Sequence, residues 1–195
     1  MTERLRRLTE AELDDAQREV YRSIAGGPRA SVRQLFDLKD AAGALNGPFG
    51  LMLHVPRLGA PLQELGSAIR YSTSLSDRAR EIAILKVAAA TESSFEWYAH
   101  ERVGAAVGLT PDELEALRQS RFSSVDRIEE AVSRLCDVLL ADGRLTDDEY
   151  DGLVEALGEE QMLETAVLVG YYLTLARMMA AFCVEAPAPS VVEAG

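Results

Sequence analysis

The chain has 195 residues, 48% of them apolar and 27% charged, enough to bury one respectable core in one or two compact units. Its 32 acidic and 20 basic side chains give a formal charge of −12, a surface that repels phosphate backbones and anionic membranes and so argues against a nucleic-acid or membrane partner. The two cysteines, Cys136 and Cys183, form no CxxC pair. This excludes a cysteine-pair redox site or zinc cluster and leaves buried thiols as the plainest reading.

Met1-Thr-Glu-Arg-Leu-Arg-Arg has basic residues but no apolar run behind them, so no signal peptide is expected and the cytoplasm is the expected compartment. Thr9, with an acid three residues on, predicts a helix through about Ala25, ended by Gly26-Gly27-Pro28. A short helix is expected over Val32 to Lys39 and a loop over Gly43 to Gly50. From Leu51 the pattern is helical again, with Pro56 and Pro61 marking a break and a restart. Ser76-Asp77 opens a helix over Arg78 to Thr91, apolar at almost every position and therefore buried all round. Residues 93–107 form the next helix, with Gly108 as its stop. Thr110-Pro111-Asp112-Glu113 is a capping box with proline at the first helical position.

A further helix is predicted over Ser124 to Ala141. A second box, Thr146 to Glu149, starts one that runs to Leu157, and a long helix follows from Glu160 to Cys183. Its uncharged stretch, Thr165 to Ala176, is too short for a bilayer core of ~30 Å, which takes about 20 residues. It suits a core or subunit interface. The Pro/Ala-rich segment 186–195 reads as a disordered tail. No run alternates as a strand would, so the fold class is all-α.

Chemistry concentrates between Glu81 and His100. Glu92, Glu96 and His100 share one helix face at four-residue spacing, and a carboxylate beside an imidazole is the minimum equipment for proton transfer near neutral pH. Glu81 lies inside an almost wholly apolar helix, where an ionised acid is costly unless paired. Phe95 and Trp97 would supply apolar walls. A purely structural reading is also open: Glu81 as a buried strut to Arg78, Arg80 or Arg177, and His100 as a helix cap.

Arg80-Glu81-Ile82-Ala83-Ile84-Leu85, then Phe95-Glu96-Trp97 with His100, then Gly108-Leu109-Thr110 resemble the signature of the carboxymuconolactone decarboxylase family, within the AhpD-like superfamily. Asn46-Gly47-Pro48-Phe49 with His54 and Pro56, and Gly170-Tyr171-Tyr172 with Ala181-Phe182 and Pro187, resemble its flanking motifs. The resemblance runs from about Leu45 to Pro187. It implies an AhpD-like helical bundle over residues 41–185 behind an N-terminal helical extension, 1–40, and assembly into a homo-oligomer, a trimer or hexamer.

In the peroxidase branch of the superfamily a glutamate precedes Cys-x-x-Cys-x-x-x-His. That register places Glu81 at the glutamate, Ser93 and Glu96 at the cysteines, and His100 at the histidine. Lacking both thiols, the chain resembles the non-cysteine branch, and peroxide reduction by a disulfide cycle is not expected. The resemblance implies a lyase or isomerase that needs no cofactor or metal and acts on a small acid, lactone or enolisable carbonyl. Glu96 and His100 would be acid and base and Glu81 an orienting or relaying group. Phe49, His54, Ser93, Trp97 and Tyr98 are candidate substrate contacts. Tyr171 and Tyr172 read more as packing residues. Where relatives carry an asparagine before Ala-Phe, this chain has Ala180, so a polar contact of the family is missing. The alternative is a non-catalytic oligomer on the same scaffold that binds a small molecule or a partner.

Overall fold

The computed structural model describes residues 2–27 and 35–187. Eight α-helices make up the described fold: α1 (Asp15–Ala25), α2 (Pro48–Met52), α3 (Pro56–Tyr71), α4 (Asp77–Ala90), α5 (Ser94–Ala106), α6 (Pro111–Arg118), α7 (Arg127–Ala141) and α8 (Asp147–Phe182). The fold is all-α, and a lone backbone bridge between Lys39 and Leu45 is its one strand-like feature among the described residues.

Helix starts follow the local chemistry. The Ser76 hydroxyl caps α4 and Asp126 caps α7, while Thr110–Glu113 and Thr146–Glu149 close capping boxes on α6 and α8. Glu12 accepts from the backbone N–H and hydroxyl of Thr9, but that box opens only a 3-10 turn, Glu10–Glu12; α1 starts separately under Asp14. Gly158 adopts φ 70°, ψ 163° between two helical runs, so α8 is two helices meeting at the expected break after Leu157.

Two expectations need correction. Residues 35–39 are bends leading into the bridge rather than helix, while 32–34 lie outside the described residues. Pro61 sits inside α3 without ending it. It is near enough to the helix start to remove only the hydrogen bond to the Arg57 carbonyl.

Helix α4 is the central post. Every residue from Ala79 to Val87 and on to Ala88 is buried, and the helix packs against α5, α6, α7 and α8. Ile82, Ile84 and Leu85 are wholly enclosed. Each such side chain stabilises the fold by about 1.5–3 kcal/mol relative to exposure. Its charged residues find partners across the helix interfaces. Lys86 donates to Ser133 at 2.8 Å and to Asp137 at 2.8 Å on α7, Arg80 turns back to Asp77, and Glu81 faces α5. At its start Arg78 joins three helices, donating to Glu129, Glu113 and the Gly108 carbonyl.

Helix α3 packs on both α1 and α2, and α2 and α3 also meet α8. Val20, Tyr21 and Ile24 of α1 share one apolar cluster with Leu168, Tyr172 and Met179 of α8. Helix α8 is long and apolar enough to cross a membrane by length and composition, with mean hydropathy 1.4 over its richest stretch; 44% of that stretch is buried against the rest of the chain.

Candidate functional site

The tight turn between α4 and α5, Thr91-Glu92-Ser93, folds the two helices into an antiparallel hairpin and brings Glu81 opposite His100. Glu96 and His100 stand one turn apart on α5, so their side chains project from one face. His100 Nδ1 donates to Glu81 Oε2 at 2.6 Å, and His100 Nε2 lies 3.5 Å from Glu96 Oε2. The three residues are 1–4% exposed. Charges so enclosed are tolerated only when paired, and here each carboxylate faces one nitrogen of a single imidazole.

The arrangement has a direction. Glu81 accepts the Nδ1–H, which fixes the ring and leaves Nε2 toward Glu96. One proton can then sit on Nε2, giving imidazolium between two carboxylates, or on Glu96, giving a neutral imidazole that accepts from a carboxylic acid. The two forms differ only by a proton shift, so the pair can take a proton from a bound molecule or return one.

Glu96 and His100 open on a cavity of about 20 Å³, room for a single water. Pro48 and Phe49 from α2, Phe95 from α5, Leu175 from α8 and Phe36 supply its apolar walls. Tyr172 stands edge-on to the His100 ring, centroids 5.3 Å apart, and Tyr171 stands edge-on to Tyr172 at the same distance. Burial pushes the Tyr172 hydroxyl well above its usual range, and facing Glu96 and Glu81 push it the same way while Arg70 opposes them. It therefore stays protonated, a neutral hydrogen-bond donor.

Arg70, at the last turn of α3, also lines the cavity. Burial disfavours its charge, but facing Tyr172, Glu81 and Tyr71 outweigh that and hold it firmly protonated. Arg70 carries no signal of its own in the sequence. An arginine in the last turn of a helix looks like a solvated complement to the helix dipole, and nothing local says that α3 ends over α5.

The other predicted contacts divide. Phe49 joins the cavity. It is held there by Gly47, whose backbone has φ +61° and whose added Cβ would lie 2.3 Å from the Phe95 ring. Asn46 braces the same turn, donating to the Asp37 carbonyl and accepting from Arg7. His54 is elsewhere: its Nε2 is 3.1 Å from the Arg6 carbonyl, in a separate crevice beside the N-terminal arm. Trp97 turns away into a second apolar cluster with Ile82, Leu85 and Leu117, under the Arg118 guanidinium at 4.2 Å. Ser93 occupies the cap position of α5, and Tyr98 lies beside Phe95 under Arg102; neither lines the cavity. None of Arg78, Arg80 and Arg177 forms an ion pair with Glu81: Arg78 pairs with Glu113 and Glu129, Arg80 with Asp77, and Arg177 is exposed.

Cys136 and Cys183 are both free and buried. Burial raises the Cys136 thiol to about 12, which leaves no thiolate at neutral pH.

Residues 56–135 match the carboxymuconolactone decarboxylase family. Among solved structures, an uncharacterized peroxidase-related protein with the alkylhydroperoxidase AhpD core, from Ralstonia eutropha JMP134, superposes with a TM-score of 0.74 at 15% identity, over 95% of this chain and 92% of that one. The debrominase Bmp8 in complex with 2,3,4-tribromopyrrole gives 0.72 at 15%, over 96% and 94%. A protein of unknown function related to AhpD, from Agrobacterium tumefaciens, gives 0.62 at 20%, over 69% and 94%. A search of curated proteins finds no match. At these identities the likeness is one of fold. The chain therefore carries a stretch, residues 56–135, similar to the carboxymuconolactone decarboxylase family, and its fold is that of the AhpD-like proteins.

Proposed function

We propose that the protein is a cofactor-independent enzyme that moves a proton on a small acid, lactone or enolisable carbonyl, with decarboxylation, isomerisation or cyclisation as the outcome. The observation that carries this reading is the buried Glu81–His100–Glu96 array, with His100 and Glu96 at the wall of an apolar cavity. Loss of carboxylate, or removal of a proton beside a carbonyl, leaves an enolate. That intermediate needs a general acid or base, a donor toward its oxygen and the exclusion of water. Glu96 with His100 provides the first, protonated Tyr172 and Arg70 the second, and Phe49, Phe95 and Leu175 the third. Glu81 orients the imidazole.

The cavity has room for about one water, so an organic substrate must displace a wall. Among the described residues, Phe36 is the lining residue that comes from a stretch outside the helices. The reading is supported by the similarity of residues 56–135 to a family named for a decarboxylase and by a fold shared with a debrominase, a protein solved in complex with a small ring compound. The absence of a cysteine at positions 93 and 96 favours proton over thiol chemistry.

The test is a panel of small aromatic and lactone acids incubated with the protein, with binding followed by thermal shift and products by mass spectrometry. Turnover of any member that depends on Glu96 supports the enzyme. Binding across the panel with no product supports the alternative of a non-catalytic binding protein.

A further inference from the structure

Among the described residues, Arg70 is the positive charge that lines the cavity. It makes no contact of ion-pair length to a carboxylate among those residues; Glu81 acts on it through the field and Tyr71 through a side-chain hydrogen bond. Yet its guanidinium lines the same space as Glu96 and His100. Arg70 is half-buried beside Tyr71, and the two oxygens of an arriving anion would give its charge the ion pair that the described carboxylates do not. Its planar fork matches the two oxygens of a carboxylate.

Charge balance points the same way. Two carboxylates, Glu81 and Glu96, stand at this end of the site, and Arg70 offsets the repulsion they exert on an arriving anion. The walls, Phe49, Phe95 and Leu175, offer nothing to a second charge. Tyr172, kept protonated, can donate to the same anion without adding charge.

We propose that Arg70 is the anchor for the substrate's anionic group, and that this group is a monoanionic carboxylate, or the enolate oxygen conjugated to it, held with the neighbouring carbon against Glu96 and His100. This rests on the proton-transfer reading for its meaning, but it makes a separate claim about binding. It narrows the substrate from acids, lactones and carbonyls at large to carboxylates of single charge, and disfavours phosphate esters and dianions.

The experiment uses the full chain and matched probe pairs: propionate against propionamide and benzoate against benzamide. Binding is read from the ring signals of His100 in spectra of protein labelled at its two histidines, with His54, in its separate crevice, as the internal control. The expected result is that each carboxylate shifts the His100 signals and binds about tenfold or more tightly than its amide. Arg70→Met should abolish that preference, and Arg70→Lys should restore part of it. Circular dichroism confirms that each variant is folded, and Arg70→Gln serves if Arg70→Met is not. Equal binding of acids and amides by the wild type, or an undiminished preference in a folded variant without Arg70, overturns the proposal. Carboxylate binding through Arg70 with no proton exchange on any probe would support the anchor and count against the enzyme, so the two claims fail separately.

Discussion

His100 Nδ1 is held 2.6 Å from Glu81 Oε2 across the α4–α5 interface, and this contact decides which nitrogen of the imidazole meets Glu96. Because Glu81 is 1% exposed, its carboxylate has no water to fall back on if the histidine is lost. Glu81→Ala should destabilise the fold by about 3–5 kcal/mol, the usual cost of breaking a buried pair, and Glu81→Gln by about 1–2 kcal/mol, since an amide oxygen still accepts the Nδ1–H. Urea denaturation followed by circular dichroism measures both. A folded Glu81→Gln protein with lowered turnover would separate the orienting role from the structural one.

Gly47 carries a second requirement, one of shape. Its positive φ and the 2.3 Å that would separate an added Cβ from the Phe95 ring leave no room for any side chain. Gly47→Ala should cost about 2–3 kcal/mol and lift Pro48 and Phe49 off the cavity. Thermal denaturation reads the first effect, and weakened probe binding at unchanged His100 chemistry reads the second.

The Arg78 hub predicts acid sensitivity. Hydrogen bonding to Arg78 comes first in holding Glu113 at about 2, against a usual 4.5, with the Thr110 cap helping. A carboxyl depressed in the folded state contributes stability that is fully present above its unfolded value and is lost as pH falls through its folded value. The contribution from Glu113 is therefore present above about pH 4.5 and drains away toward pH 2. In Glu113→Gln this part of the slope should vanish, seen as a flatter dependence of the urea midpoint on pH between those limits.

Cys136, with its thiol raised to about 12, should not react with a disulfide reagent in the native protein at pH 8 and should react fully once guanidinium unfolds the chain. Replacing Cys136 and Cys183 together by serine should leave proton-transfer activity in place. Thiol-dependent loss of peroxide that vanishes in the double variant would point to redox chemistry instead.

Much of this was legible in the sequence because the signals were local. Capping boxes at Thr110 and Thr146, the cap at Ser76 and the break near Gly158 act through neighbours within a turn, and the four-residue step from Glu96 to His100 needs only a helix. What escaped depends on distant packing. Trp97 follows Glu96 directly, yet a helix rotates successive side chains by about 100°, so the tryptophan faces the other cluster. Tyr172, expected to serve packing, packs on His100 itself, and Arg70 reaches the site only because α3 ends above it. His54 shares a chemistry with His100 but not a location, since the N-terminal arm claims it.

The central claim, that Glu96 and His100 move a proton with Glu81 behind them, is tested most directly by deuterium exchange. Small enolisable carboxylic acids and lactones are incubated in heavy water with wild type, Glu96→Gln and His100→Asn, and label at the carbon beside the carbonyl is followed by NMR. The account predicts label incorporated by the wild type and a loss of about 10²-fold or more in each variant. Full exchange in both variants would contradict it.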